Sequence, residues 1–526
     1  MKMKRLLAFF LAAVTALSVL GGCGKDTKEP DNQGGSVIDD GQDNKKEIVF
    51  PLAETMSFTG CCTTHNGFKL GDSKGWQLSL ERANISVKLT EFDKAELVEK
   101  TNLMLTGGTY PDFFIKNATG SGNDSKDGIL IPLEELIREY APNCAALLDK
   151  YDGWKWITAA DGHVYSMPCI QEDDMPYGDN APAWINKRWL DNLGLKEPTT
   201  MEELDAVLTA FKEKDANGNG DPNDEVPFTF ATNTLTVEKL LQYGGEGVNL
   251  YKMFVTIKDH AVEFMPLTDD FKDNYLYWLS KWYQAGIIDQ NAFVQDYNEM
   301  TVNGKAADIH GMFFRFDPSS QVGLENASDY VLLKVFGDNG LTLGSNVLSH
   351  AMSITDKCEN PEVLVAWADW FYTEEGSMVA EYGIKGESYE LNEDGTYYLL
   401  TPEGVAAEDF LAGYRIYGSA SAPMLRPSLK IDPNVDALNA YLYDVKTSVY
   451  KDGTVVPYFL YTEEETTRKA DLETQIKDYI TVYTAQVATG DLDLESSYAD
   501  FQKNLIKMGA EELQEIYRNA YERGGN

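Results

Sequence analysis

The chain has 526 residues and a formal net charge of −39. A chain of this length is expected to form at least two domains or lobes with sizeable cores. The acidic surface repels nucleic acid and anionic lipid head groups, which argues against DNA or RNA binding and fits an extracellular protein that carboxylates keep soluble.

The first residues have the layout of an export signal. A basic start, "MKMKR", precedes the apolar stretch "LLAFFLAAVTALSVL", which is too short for a comfortable membrane span. The ending "LGGC" resembles a bacterial lipobox, which predicts a signal peptide at residues 1–22 and a diacyl lipid on Cys23. Residues 23–46 are polar and Gly-rich, as in a flexible tether. We therefore expect the mature protein at the extracellular face of the cytoplasmic membrane, held by lipid alone.

Strand and helix patterns alternate after the tether. Glu47–Glu54 and Ile85–Phe92 predict strands, and Ala95–Gly108 has helical spacing that ends in Gly-Gly. The apolar runs "YPDFFIKN" and "HVYSMPCIQ" predict two further strands. This strand–helix–strand order indicates an α/β sheet.

The second half of the chain also predicts both helices and strands. "TMEELDAVLTAFKEKD" predicts a helix with Thr200 as its cap and Glu203 at the capping-box position. Amphipathic helices are predicted in "NYLYWLSKWYQAGI" and "PEVLVAWADWFYTEEG", and strands in "GMFFRF" and "YVLLKVF". The chain is expected to be mostly helical from Glu463 to its end.

The stretch from Asp215 to Phe228, "DANGNGDPNDEVPF", begins like a calcium loop. Acids and amides alternate, and a glycine stands at the sixth position. The twelfth position is Val226, where an EF-hand needs a bidentate Glu. These residues alone leave three possibilities open: a sensor, a broken site or a fixed metal site.

Cysteine and histidine spacing predicts neither a zinc site nor a catalytic set. With Cys23 lipidated, five Cys remain, and we expect buried or unpaired thiols without a disulfide framework. The sequence contains no HExxH, GxSxG or GxxxxGK[ST] motif, and none of its five His stands at ligand spacing from another. We therefore predict that the protein is not an enzyme.

An ordered set of motifs resembles a known family. The set comprises "WLDNLGL" (Trp189–Leu195), "PTT" (Pro198–Thr200), "FKEK" (Phe211–Lys214) and the Asp215–Pro227 loop, together with "GGTYPDFF", "GHVYSMP" and the C-terminal tail. It is similar to the extracellular solute-binding lipoproteins of ABC importers for sugars, in particular to the long Gram-positive oligosaccharide-binding branch. The likeness covers nearly the whole mature chain.

The resemblance implies a periplasmic-binding-protein-like type II α/β fold, with two lobes joined by a hinge. The first lobe is expected at residues 47–170 and about 337–415, and the second at about 171–336 and 416–526. Chain crossings are expected near Cys169–Asn180 and Val335–Asn339. An oligosaccharide ligand would lie between the lobes, beyond the carboxyl ends of the strands. ABC permease subunits would be the partners of a monomeric receptor.

The resemblance also implies a structural Ca²⁺ site rather than a sensor. Side-chain oxygens would come from Asp215, Asn217 and Asn219, and the backbone carbonyl from Asp221. Asp224 and Glu225 would close the site. The loop is one residue longer than the shortest family version, which leaves Asn223 and Asp224 as alternatives for one ligand position.

Strand-end positions and family placement predict ligand contacts. Sugar binding needs aromatic faces and planar polar groups, which the 12% aromatic content supplies amply. The expected contacts are Glu54, Lys116, Asn117, Gln171, Glu172, Trp184, Phe314, Arg315 and Phe316. Two alternatives remain: a peptide or signalling-ligand receptor on the same fold, and a secreted glycosidase with a calcium brace.

Overall fold

A computed structural model of the protein describes residues 48–525 except 65–66, 116–127, 173–181, 232–236, 245–247, 251–253, 316, 337–341, 403–404, 406, 417–421, 437–439, 443 and 445–453. Its strands are β1 (Met56–Thr63), β2 (Ile85–Phe92), β3 (Phe113–Ile115), β4 (Met167–Gln171), β5 (Ala183–Asn186), β6 (Val226–Phe228), β7 (Val248–Leu250), β8 (Val255–Lys258), β9 (Ala261–Phe264), β10 (His310–Phe314), β11 (Tyr330–Leu332), β12 (Thr342–Leu343), β13 (Val347–Ile354), β14 (Tyr389–Leu391), β15 (Tyr397–Leu399), β16 (Met424–Arg426) and β17 (Thr454–Val455).

Helices cover both large sheets. The α-helices are Lys74–Ala83, Lys94–Thr106, Glu134–Tyr140, Pro142–Lys150, Trp154–Ile157, Lys187–Leu193, Met201–Glu213, Leu240–Gly244, Asp269–Phe271, Tyr277–Gln284, Tyr297–Ala306, Ser319–Val322, Pro361–Asp369, Glu374–Tyr382, Ala407–Ala412, Glu463–Thr489, Leu494–Lys507 and Ala510–Arg523. Within the described ranges, none is long and apolar enough to cross a membrane.

A six-stranded sheet forms the centre of the first lobe. Its strand order is β16-β4-β13-β3-β1-β2, and β13 is antiparallel to both of its neighbours while the other pairs are parallel. Helices pack on its faces, where the rings of Trp76 and Trp367 meet edge to face at 5.4 Å. The apolar residues of these elements form one continuous core.

A four-stranded sheet forms the centre of the second lobe. Its order is β11-β5-β10-β6, with β5 antiparallel to both of its neighbours and β10 parallel to β6. The helix Met201–Glu213 buries Leu204, Leu208 and Phe211, whose spacing of three and four residues places them on one face. The three C-terminal helices add their apolar faces to the same core, so the helical pattern predicted after Glu463 is confirmed.

Two local predictions were wrong. Residues 48–55 form no strand, and the first strand begins at Met56. Pro51 lacks a backbone donor for a ladder, and the next amide, Leu52 N, donates to Ala83 O at 3.1 Å.

Thr200 does cap its helix, because its hydroxyl accepts from Glu203 N at 3.1 Å. The Glu203 carboxylate, however, accepts from Thr199 instead of completing a capping box.

The lobe boundaries stay a prediction, and the position of β16 is relevant to the boundary expected at residue 415. β16 pairs with β4 in the first-lobe sheet, although the sequence assigned all residues after 415 to the second lobe. The chain therefore still belongs to the first lobe at Arg426. Beyond it, Leu442 packs with Trp184 and Phe313 of the second lobe.

Candidate binding cleft and metal-ligand loop

In each of the two large sheets, most strands end at the same edge, which is called the connecting edge below. In the first lobe, β1, β3, β4 and β16 end at the edge where β13 begins, and Gln171 N bonds to Asn346 O at 2.8 Å there. In the second lobe, β6, β10 and β11 end where β5 begins, and Arg315 N bonds to Pro182 O at 3.1 Å. The two expected crossings leave the sheets at these edges, which makes the space between the edges the candidate cleft.

Two short strands outside the large sheets pair with each other, because β12 runs parallel to β17. Tyr458, shortly after β17, meets the ring of Trp156 at 5.1 Å, and its hydroxyl donates to Thr158 O at 3.3 Å. These contacts connect the segment after β17 to the first lobe.

Polar side chains gather at the first-lobe edge. Gln171 lies opposite Arg426 in register, and its Oε1 is buried without a described partner. Glu172 accepts from Ser428 N at 2.8 Å. Arg426 Nη2 donates to Glu381 Oε1 at 3.0 Å. Burial opposes the charge on Glu381, but the guanidinium of Arg426 outweighs it and lowers the pKa of that carboxyl.

Two tyrosine rings adjoin this ion pair. Tyr382 follows Glu381 in the chain, and its ring centroid lies 4.5 Å from that of Tyr397. Tyr397 N in turn bonds to Lys430 O at 2.9 Å. Sequence reasoning missed Arg426, because only the pairing of β16 beside β4 brings it to the cleft edge, and with it Glu381, Tyr382 and Tyr397, which lie beside Arg426. The signal in the sequence was the Arg at the end of the short apolar run "PMLR".

Several predicted contacts lie elsewhere. Glu54 is exposed two residues before β1, at the sheet edge opposite the carboxyl ends. Trp184 is 0% exposed, and its Nε1 donates to Arg315 O at 2.9 Å inside the second-lobe core. Phe314 is equally a core residue, packed 5.9 Å from Phe228. Lys116, Asn117 and Phe316 lie outside the described residues.

Arg315 does lie at the second-lobe edge, directly after β10. Its guanidinium carbon is 3.4 Å from the centroid of the Tyr297 ring. Its Nη2 donates to Thr301 Oγ1, while Nε and Nη1 are buried without a described acceptor. Burial lowers the pKa of Arg315 to about 10, which leaves the side chain cationic at neutral pH.

Backbone N–H groups of the loop from Asp215 to Glu225 donate hydrogen bonds to side-chain oxygens of the same loop. Ala216 N donates to Glu225 Oε1 at 2.7 Å, and Gly220 N donates to Asp215 Oδ2 at 2.9 Å. Gly220 has φ +96°, which a residue with a side chain rarely adopts. Asp215 Oδ1 and Glu225 Oε2 remain buried without a described donor.

Asp224 contacts the predicted ligands Asn217 and Asn219, whereas Asn223 contacts Asp221. Its carboxylate accepts from Asn217 Nδ2 at 3.2 Å and from Asn219 Nδ2 at 2.6 Å. Asn223 instead donates to Asp221 Oδ1 at 3.1 Å. Among the described residues, no three His, Cys, Asp or Glu side chains group into a metal cluster by themselves. A cation here would therefore need amide and carbonyl oxygens as well as carboxylates.

Arg188 joins this loop to the sheet. Its Nη1 donates to Asn217 O at 3.0 Å, its Nε to Asp329 Oδ2 at 2.8 Å, and its Nη2 to Asp308 Oδ2. Burial opposes the charge on Arg188, but the two carboxylates outweigh it and raise its pKa. The sequence did not reveal this residue, because its partners lie up to 141 positions away.

The profile of one protein family, described as "Bacterial extracellular solute-binding protein", matches residues 80–376, more than half of the chain. The chain belongs to the bacterial extracellular solute-binding protein family. The predicted family and the type II two-lobed α/β fold are thereby confirmed.

Three similar proteins extend this family assignment along the chain. FusA of Streptococcus pneumoniae, named a fructooligosaccharide ABC transporter substrate-binding protein, is 28% identical over 560 aligned positions that cover 99% of each chain. Its structure with kestose has a TM-score of 0.70 at 25% identity and covers 89% of this chain and 99% of that one. A further FusA structure, with fructo-nystose, is described as an EF-hand mutant; it is 24% identical, covers 89% of this chain and 99% of that one, and has a TM-score of 0.69.

The other two similar proteins are also binding proteins or lipoproteins. A solute-binding protein of Bifidobacterium longum infantis, described as binding HMO, has a TM-score of 0.75 at 19% identity and covers 89% of this chain and 98% of that one. Lipoprotein LipO of Bacillus subtilis is 24% identical and covers 83% of this chain and 86% of that protein. This extracellular solute-binding protein thus has relatives named as binding proteins of ABC transporters, which agrees with the predicted class of function.

Proposed function

We propose that the protein is the substrate-binding lipoprotein of an ABC importer, which captures an oligosaccharide outside the cell and delivers it to membrane permeases. The similarity to a fructooligosaccharide-binding protein over 99% of both chains carries this proposal. The cleft between the two connecting edges supports it, because ligands of open α/β sheets bind beyond the carboxyl ends of strands. In this function the protein binds the sugar as a monomer and leaves it chemically unchanged.

A thermal-shift screen tests the ligand class. The mature protein would be heated with kestose, nystose, maltotriose, raffinose, fructose or a tripeptide mixture. An oligosaccharide at 100 times its dissociation constant should stabilise the protein by about 2.7 kcal/mol. A shift with peptides alone would overturn the sugar proposal in favour of a peptide receptor. Chromatography after long incubation would reveal cleaved sugar if the protein were a glycosidase.

We also propose a structural Ca²⁺ in the loop from Asp215 to Glu225. Oxygen atoms are the ligands that Ca²⁺ prefers, and the unpartnered Asp215 Oδ1 and Glu225 Oε2 lack the donors that buried carboxylate oxygens need. Rotation of the Asn217 and Asn219 amides about their terminal torsions would present further oxygen to an ion. A FusA structure described as an EF-hand mutant supports an EF-hand-like loop in this chain. The ion would stabilise the loop, which Arg188 joins to the sheet.

The membrane anchor belongs to the same proposal. Cys23 lies outside the described residues, and its basic, apolar and small-residue leader supports cleavage and lipid attachment. A relative named as a lipoprotein supports the anchor. Mass spectrometry of protein extracted from membranes should find lipid on the peptide that begins at Cys23. An intact leader in the native host would contradict it.

A further inference from the structure

The helix Tyr297–Ala306 begins at the cleft-facing edge of the second lobe. Asp296 caps the helix, because its side chain accepts from Glu299 N at 2.8 Å. Gln295, one residue earlier, donates from Nε2 to Phe230 O at 2.8 Å, just beyond the end of β6. These bonds hold the first residue of the helix at the edge from which the crossings depart.

Arg315 covers one face of the Tyr297 ring. A guanidinium carbon at 3.4 Å from the ring centroid means that the two planar groups are in direct contact. Thr301 reinforces this arrangement, because its hydroxyl accepts from Arg315 and donates to Tyr297 O at 2.8 Å. The ring is thus fixed in orientation, and a fixed ring loses less conformational entropy when a ligand settles on it.

The two residues differ sharply in exposure. Tyr297 is 36% exposed, whereas Arg315 is 2% exposed. Tyr297 therefore keeps solvent-exposed surface although Arg315 covers one face of its ring. The Nε and Nη1 atoms of Arg315 are themselves buried, so Arg315 acts on a ligand through the ring that it covers.

We propose that Tyr297 is the ring of the second lobe that stacks on a sugar unit, and that Arg315, on the opposite face, holds this ring in orientation. This inference rests on the proposed oligosaccharide-binding function. Sugar recognition needs an aromatic face for the C–H surface of a pyranose or furanose ring. Tyr297 supplies such a face at the cleft edge, and Arg315 positions it.

The fully buried rings cannot take this role. Trp184 and Phe314, on the neighbouring strands, are 0% and 2% exposed and pack against other core side chains. A stacking platform needs accessible ring surface. Tyr297 combines that surface with a position beside Arg315, at the carboxyl end of β10.

Calorimetry with kestose and the best oligosaccharide of the thermal-shift screen tests the inference on the mature protein. Tyr297→Ala should weaken binding about tenfold to hundredfold, the scale for one lost apolar ring contact. Tyr297→Phe keeps the ring and should stay within about threefold of the unmodified protein. Tyr277→Ala is the matched control, because Tyr277 is 47% exposed on a helix outside the cleft edge, and should leave affinity unchanged.

A second substitution addresses Arg315. Arg315→Lys keeps the positive charge but loses the planar contact that holds the Tyr297 ring, so it should weaken sugar binding, with the ligand-free melting temperature measured alongside to confirm folding. Unchanged affinity in Tyr297→Ala, with clear binding by the unmodified protein, would overturn the inference and leave the proposed function intact. If the unmodified protein binds no sugar of the screen, the proposed function fails and the inference fails with it.

Discussion

His310 is a buried base that folding keeps neutral. It lies on β10 with 2% of its surface exposed. Its Nδ1 lies 3.2 Å from Gln321 Nε2, which can only donate, so Nδ1 accepts and carries no proton. Burial lowers the pKa of His310 to about 4, and the charge of Asp289 offsets only part of this effect. The unfolded chain, with a His pKa of about 6.5, binds the proton more readily.

His310 should therefore make the protein acid-sensitive. Between about pH 6.5 and 4 the unfolded state holds more protons, so stability falls as pH falls, by at most about 3 kcal/mol from this group. His310→Gln should lose less stability between pH 7 and pH 5 than the unmodified protein, as measured by urea unfolding. Parallel pH profiles would contradict this account.

The exposed His163 provides a control, because it should change the pH dependence of stability in the opposite direction to His310. His163 Nδ1 lies 2.6 Å from Glu134 Oε1. The hydrogen bond and charge of Glu134 raise the pKa of His163. A raised folded-state pKa adds stability at low pH that is lost as pH rises. His163→Gln should therefore steepen the loss of stability in acid, opposite to His310→Gln.

Buried thiols are the second feature at the residue scale. The five described Cys are buried and none is joined in a disulfide. Burial raises the pKa of Cys61 and Cys169 to about 12 and that of Cys358 to about 11. Because the thiolate is the reactive form, we expect a thiol reagent at pH 8 to label these five Cys only after unfolding. Rapid labelling of the folded protein would show that one of them opens to solvent.

At the scale of elements, the loop from Asp215 to Glu225 depends on local and distant contacts together. Its side-chain oxygens accept from the backbone of the same loop. Arg188, on the helix Lys187–Leu193, then joins the loop carbonyl of Asn217 to Asp308 and Asp329. Loss of order in the loop should therefore weaken the adjoining edge of the second-lobe sheet.

Calcium removal should reveal this coupling. A chelator should lower the melting temperature of the purified protein, because an ion that binds only the folded state stabilises it. Asp215→Ala should lower the melting temperature by itself and make the protein insensitive to chelator. Asp394→Ala alters a similar turn, in which Asp394 accepts from Thr396 N at 2.9 Å, and should keep chelator sensitivity. If chelation leaves the melting temperature of the unmodified protein unchanged, the loop holds no stabilising ion.

At the scale of the whole molecule, the contacts between segments that join the two sheets decide how the lobes can move. β12 pairs with β17, and Tyr458 contacts Trp156 and Thr158 of the first lobe. A hinge between two lobes absorbs its changes in φ and ψ at a few residues. Each lobe retains its own core during such a motion.

Ligand binding should therefore close the cleft. Saturation with the best oligosaccharide should reduce the radius of gyration in small-angle X-ray scattering, because both cleft edges contact one ligand. Tyr297→Ala at the same free ligand concentration should shift less of the population toward the compact form. An unchanged radius at full saturation would contradict closure by lobe movement.

The sequence by itself determined the local elements and the family. Alternation in Ile85–Phe92, the capped apolar face of Met201–Glu213 and the oxygen-rich loop from Asp215 all involve neighbours within a few residues, so a pattern can encode them. The same local reasoning failed at residues 48–55, where Pro51 interrupts an apolar run. It also assigned Phe314 to the cleft, because strand-end position does not specify which face a side chain takes, and Trp184, because it precedes the "WLDNLGL" motif.

Which residues meet at the cleft depends on contacts between segments that are far apart in the chain. Arg426 reaches Gln171 through the placement of β16 beside β4, and Arg315 covers Tyr297 across a helix–strand contact. Arg188 bridges residues on three separate segments in the same way. Such contacts depend on strand order and chain crossings, which arise from packing over the whole chain and leave no periodic signal near the residues themselves.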